Sequence, residues 1–358
     1  MRGGSGWLEW MVTFFSTWLV VGVYLDGWAH IRRLPESFFT PWHGIIYSSF
    51  LGVAVALAVA WMRGRARGSS WRRALPPGYG LSLVGVAIFL VAGVADLAWH
   101  TMFGIEGSIE ALCSPPHLLL AAGGALIATG PLRSAWKASV PSRGAVWRAV
   151  LAATLLLSLF TFFTAEAHPF VHPWAWIKFR PHPLDPRALG LPSLPSGGVG
   201  PRELAETLGV GSFIIQSATL VGLILLLVRR WAADLPFGWI TFIVSLNAVG
   251  LSIFHSTPWT IPVAFAGGLG CDALYRGLKP SVAASNRMRL LGAAIPLILS
   301  VTYFVALLVQ GGVWWRAHVW VGSIVIAGLT GWFVSYLVVP PSIPRTGREI
   351  DAPGEARV

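Results

Sequence analysis

Two sets of one aspartate and two histidines recur in this chain at nearly the same spacing. The first is Asp26, His30 and His43, and the second is Asp96, His100 and His117. In each set the aspartate and the first histidine are four residues apart, which puts them on one face of a helix. The last histidine follows a helix-start signal, Thr40-Pro41 in one copy and Ser114-Pro115 in the other. A hydroxyl residue at the cap with proline at the first position is a favoured way to begin a helix. His43 and His117 therefore belong in the first turn of the helix that follows. Each set brings one carboxylate and two imidazoles to one end of a helical hairpin, a ligand set for a metal ion. Imidazole with carboxylate suits copper, zinc, iron or nickel, and two nitrogen ligands disfavour magnesium and calcium.

The elements that must carry these ligands are membrane helices. Apolar residues make up 55% of the 358 and charged residues 11%, where a soluble domain carries about 25% charge. Apolar runs of the length needed to cross a bilayer fall near 7–27, 43–62, 79–99, 116–133, 147–165, 209–228, 237–255, 258–275, 290–311 and 318–339. The expected fold is an all-α polytopic membrane helix bundle of about ten transmembrane helices in hairpins. It forms one transmembrane domain over 1–358, with an internal repeat of the first two hairpins. The first metal-motif hairpin occupies 1–78 and the second 79–146. The remaining helices fill 147–340, with a proline-rich outer loop at 167–208 and a tail at 341–358.

Charge sets the expected orientation. The net charge of +11 would suggest nucleic acid in a soluble protein. Here the charges fall between apolar runs, so they read as a topology signal and no nucleic acid is expected. Placing the N-terminus inside puts nineteen of the 26 Lys and Arg residues in inner segments. Both termini are then cytoplasmic, in a plasma or inner membrane, and all nine histidines fall at the outer face. Asp26 and Asp96 then lie near helix C-termini, where a carboxylate meets the negative end of the dipole at a cost of about 0.3–1 kcal/mol. A bound cation offsets that cost. The competing reading for the first copy pairs Asp26 with Arg32 or Arg33; no Lys or Arg lies between Asp96 and His117.

The segment Asp26-x3-His30-x12-His43, ending Thr40-Pro41-Trp42-His43, resembles the metal motif of the C subunit of the copper membrane monooxygenases, the methane and ammonia monooxygenases. Asp96-x3-His100-x16-His117 resembles that family's neighbouring motif. It has Asp96 where the family has asparagine, and a last gap three residues longer. The resemblance spans about residues 20–120. It implies copper at these residues and oxidation of a small apolar substrate by O2, with further membrane subunits or copies as partners and Trp28, Phe38, Phe39, Trp42 and Trp99 as walls. The alternatives are a membrane copper or zinc delivery protein and a non-catalytic scaffold subunit of a membrane redox complex.

Weaker ligand candidates are His168 and His172, four residues apart but beside Pro169 and Pro173, and His255, whose His255-Ser256-Thr257-Pro258 echoes the helix-start signal without an aspartate. Cys113, Glu106 and Glu110 lie near the second set, with a plain thiol and solvated carboxylates as the simpler readings. Cys113 and Cys271 are expected at opposite membrane faces and cannot pair. Gln216, Asn247 and Asp272 are the few polar residues on a path through the helices, too few for metal translocation. No phosphate-binding loop, dinucleotide fingerprint or nucleophile elbow is present.

Overall fold

Long apolar runs dictate helices here, because a chain in lipid must satisfy its own backbone polar groups. The computed structural model describes residues 6–34, 39–104, 112–179 and 200–341. Its helices are α1 (Gly6–Ile31), α2 (Pro41–Ala66), α3 (Gly80–Phe103), α4 (Pro115–Ala128), α5 (Gly130–Lys137), α6 (Arg143–Phe163), α7 (Pro201–Trp231), α8 (Trp239–His255), α9 (Thr260–Leu278), α10 (Ser285–Val309) and α11 (Ala317–Val338). No strand occurs among the described residues; Trp176 and Val313 form an isolated bridge.

Eight helical segments are long and apolar enough to cross a membrane, with α4 and α5 counted as one and α7 running on to Asp234. Of the ten expected spans, two do not meet that measure. Trp239–Ile253 is a shorter apolar helix. Thr260–Leu278 carries Asp272 and Arg276 within its 19 residues.

The starts follow local chemistry. Thr40 and Ser114 precede Pro41 and Pro115 as read from the sequence. α7 begins eight residues before the expected 209. Pro201 sits in its first turn, and the Glu203 carboxylate reaches back to accept from the Gly200 N–H at 3.2 Å. A proline taken for loop is thus a helix start. Pro131, which lacks an N–H, divides α4 from α5 at Thr129. Arg133 staples that joint, donating to the carbonyls of Gly78 at 2.9 Å and Leu126 at 2.7 Å.

The hairpins close through small residues, as expected where lipid gives no hydrophobic drive between helices. Gly85 of α3 and Gly123 of α4 face each other. A Cβ on Gly85 would stand 2.7 Å from the Gly123 carbonyl oxygen, and one on Gly123 2.9 Å from that of Gly85. Gly22 does the same for α1 and α2, one turn before Asp26: a Cβ there would meet Ile46 at 2.8 Å. α1 also packs on α6 and α8, which joins the first hairpins to the rest. Asp272 is fully buried and accepts from the backbone N–H groups of Ile240 at 3.3 Å and Thr241 at 2.8 Å, and from the Thr241 hydroxyl at 2.6 Å. It caps the start of α8.

Candidate metal centre

The second set forms the compact site. Asp96 is on the last turns of α3, with His100 one turn on, and His117 is in the first turn of α4. One oxygen, Asp96 Oδ1, lies 3.4 Å from His100 Nε2 and 3.2 Å from His117 Nε2. One ligand atom from each of the three residues lies within 4.8 Å of the other two, so this group could hold a metal ion. Ligand atoms about 2.0–2.2 Å from a shared first-row ion stand roughly 3.0–3.6 Å apart. The observed spacings fall in that range. Asp96 Oδ1 is buried, yet neither imidazole meets it in hydrogen-bond geometry. The three side chains converge closely enough to share one ion.

The far nitrogens are held from behind. His117 Nδ1 pairs with the Ser114 hydroxyl at 2.7 Å and His100 Nδ1 with the Gly104 carbonyl at 3.2 Å. A carbonyl only accepts, so His100 carries its proton on Nδ1 and presents a bare Nε2. Such outer partners fix the tautomer and ring orientation of metal-ligating histidines. Asp96 is 2% exposed, while the side chains of His100 and His117 are 15% and 20% exposed. The carboxylate is sealed in and the imidazole side stays open.

The first set repeats the pattern more loosely. Asp26 lies 3.2 Å from His43 Nε2 and 3.6 Å from His30 Nε2, through different oxygens. Thr40 holds His43 Nδ1 at 3.0 Å, as Ser114 holds His117. Arg32 stacks on Trp28 and donates to the Ser256 hydroxyl at 3.1 Å. The two sets share one neighbourhood: His43, His100 and His117 all act electrostatically on His30.

Tyr47 joins them, and the sequence reading passed it over. It stands one turn after His43 on α2, with ring centroids 6.2 Å apart. Its ring lies 3.5 Å from where a Cβ on Gly93 would be, and it feels both Asp26 and Asp96. The available signal was its four-residue offset from His43.

Other candidates take other places. His172 Nε2 bonds Glu166 at 2.7 Å and stacks near His255, with ring centroids 5.7 Å apart. That bond holds the Glu166 carboxyl below its ordinary value. His168 is buried, its Nδ1 accepting from the Phe170 N–H at 3.0 Å, and burial pushes its imidazole down to about 3. These three histidines do not join the compact group. Cys113 is an exposed free thiol outside it. Phe39 is 88% exposed, and Trp99 packs on Phe103. Phe38, Glu106, Glu110 and His182 lie outside the described residues.

No protein-family model, curated protein or solved structure matches this chain.

Proposed function

We propose that this membrane protein holds a transition-metal ion on Asp96, His100 and His117, with Asp26, His30 and His43 as a second, looser site beside it. The observation that carries this reading is the convergence of Asp96 Oδ1 and two imidazole Nε2 atoms at metal-polyhedron spacing. The outward-held Nδ1 atoms support it. Two histidines and one carboxylate leave coordination positions open, as in catalytic sites.

Copper is the ion the motif resemblance favours, and zinc is the alternative. Bound copper would supply redox chemistry with O2 on a small apolar substrate arriving through the bilayer. The chain's own residues bind and orient the ion, and Trp99 and Trp42 limit water. The delivery role is the second reading. It is disfavoured by the burial of Asp96, because a transferable ion needs ligands that a partner can displace. The paired hairpins fit an internal repeat. The charge asymmetry fits cytoplasmic termini, which puts the sites at the outer face of the plasma or inner membrane.

The test is metal analysis of full-length protein purified from copper- and zinc-replete cells. Wild type should carry about one equivalent or more. The His117→Ala protein should lose the ion of the compact site while keeping its helical content. Metal-free wild type, or an unchanged metal content in the double variant Asp96→Asn/His117→Ala, would reduce the histidine pattern to structural hydrogen bonding.

A further inference from the structure

A cavity of about 100 Å3 lies between α6, α7, α8, α9 and α10, closed at one end by His168, Pro169 and Phe170. Its walls are mostly apolar, with Leu157, Val244 and Leu299 among them. Besides Thr161 and Gln216, which bond within the protein, five polar side chains face it: His168, Ser217, Asn247, Ser300 and Tyr303, each between 2% and 7% exposed. Most of their hydrogen-bonding capacity is unused. Asn247 Oδ1 accepts from the Thr161 hydroxyl at 2.6 Å, which leaves its N–H2 group over. His168 Nδ1 accepts from Phe170, so in the neutral ring the proton sits on Nε2. The hydroxyls of Ser217, Ser300 and Tyr303 have no hydrogen-bond partner among the described residues. Polar groups buried without partners are costly, more so in lipid. Three hydroxyls, with the unused halves of Asn247 and His168, give the cavity a polar lining that an occupant can satisfy.

The lining defines that occupant. No Lys, Arg, Asp or Glu borders the cavity, and the burial that pushes His168 down to about 3 keeps it neutral. A charged molecule would go unpaired. Two of the five groups, the Asn247 amide N–H2 and His168 Nε2–H, only donate, so the occupant must accept. An engineered cavity of about 150 Å3 holds benzene, so this smaller one suits about four or five heavy atoms. We propose that the cavity binds a small uncharged molecule with a short apolar body and one acceptor oxygen, in the class of short-chain amides, ketones and alcohols. The site is separate from the Asp/His centre and does not depend on metal there. A hydrogen-bonded line, Asn247–Thr161–Tyr24, leads from its wall to α1, where Tyr24 precedes Asp26 by two residues.

The test uses full-length protein in lipid nanodiscs and fluoroacetamide as the probe, followed by 19F line broadening. Binding should saturate with a Kd on the order of 1 mM, as a ligand of this size allows. Acetamide should compete and acetate should not. A triple variant, Ser217→Ala, Ser300→Ala and Tyr303→Phe, keeps the cavity and removes three unpartnered hydroxyls, so it should fold. It should bind severalfold more weakly, at roughly a factor of two to ten for each hydrogen bond that the probe's N–H2 group donates to these hydroxyls. Ser300→Leu, which fills the cavity, should abolish saturation. Broadening that stays linear with concentration and equal in wild type and triple variant is bilayer partitioning, and overturns the proposal. So does an acetate competition as strong as that of acetamide.

Discussion

At the scale of single residues, one hydroxyl lets the proposed metal binding be tested apart from folding. Ser114 is the cap residue of α4, but its hydroxyl makes no cap hydrogen bond and goes to His117 Nδ1. Thr40 does both jobs, accepting from the His43 N–H at 3.5 Å and holding its ring. Ser114→Ala should therefore weaken metal binding about 10- to 100-fold, the usual effect of losing an outer partner. Its cost in stability should fall below the roughly 1 kcal/mol of a working cap. Chelator competition and thermal unfolding read the two effects separately; equal, large losses of both would mean that the hydroxyl holds the helix instead. The closeness of Asp96, His100 and His117 was legible because type and spacing encode it. Tyr47 was not, because its importance comes from lying against Gly93 on another hairpin. His168 was legible only as a loop histidine, since burial by distant helices cannot be read from its neighbours in sequence.

At the scale of elements, helix contacts place the ligands. α3 and α4 approach through Gly85 and Gly123, and the proposed ligands Asp96, His100 and His117 sit at the end of that same hairpin. Gly123→Val would force side-chain atoms into the Gly85 carbonyl and the Phe89 backbone, which backbone cannot yield cheaply. Overpacking of this kind costs about 1–3 kcal/mol. The hairpin should open, and metal content should fall although no ligand has changed. A Gly44→Ala control, at a position with open space, should leave both intact. The connection after α6 gives a pH signature. His168 titrates near 3 when folded and 6.5 when free. Between those values the unfolded chain binds a proton that the folded chain refuses, so stability falls as pH drops below about 6.5. The limiting slope is about 1.4 kcal/mol per pH unit. Glu166 adds the same sign at lower pH: the stability it gains from His172 is present above its free value of 4.5 and lost as pH falls through its depressed value. Unfolding followed in excess chelator should show His168→Gln less sensitive than wild type between pH 6.5 and 4. Parallel curves would remove His168 as the cause. Helix starts at Pro41 and Pro115 were legible, whereas Pro201 was lost among the prolines of a loop, because its cap needs Gly200 and Glu203 read together.

At the scale of the whole molecule, contacts bring several of the histidines to one end of the bundle. Arg32 meets Ser256, His172 meets His255, and Ala175 accepts from the Trp314 N–H at 3.0 Å, so the ends of α1, α6, α8 and α10 share one end of the bundle. Helical class and most helix limits were legible because apolar runs in lipid have few alternatives. The count of ten was harder, because α8 is short and α9 buries a capping aspartate that lowers its hydropathy. Which end faces out is a question of Lys and Arg. Five arginines, Arg63, Arg65, Arg67, Arg72 and Arg73, crowd the α2–α3 connection, opposite the histidine end. By the positive-inside rule that connection is expected on the cytoplasmic side. A reporter fused between Gly68 and Ser70 should thus report cytoplasm, and one fused between Lys178 and Phe179 should report the outside. Removing all five arginines should weaken the first result before the second, because the five other segments expected inside still carry Lys or Arg. Both reporters on one side would break the hairpin placement, and exchanged sides would move the metal centre to the cytoplasm. There O2 and an apolar substrate would still arrive through the bilayer, but the ion would have to come from the cell's own reducing pool.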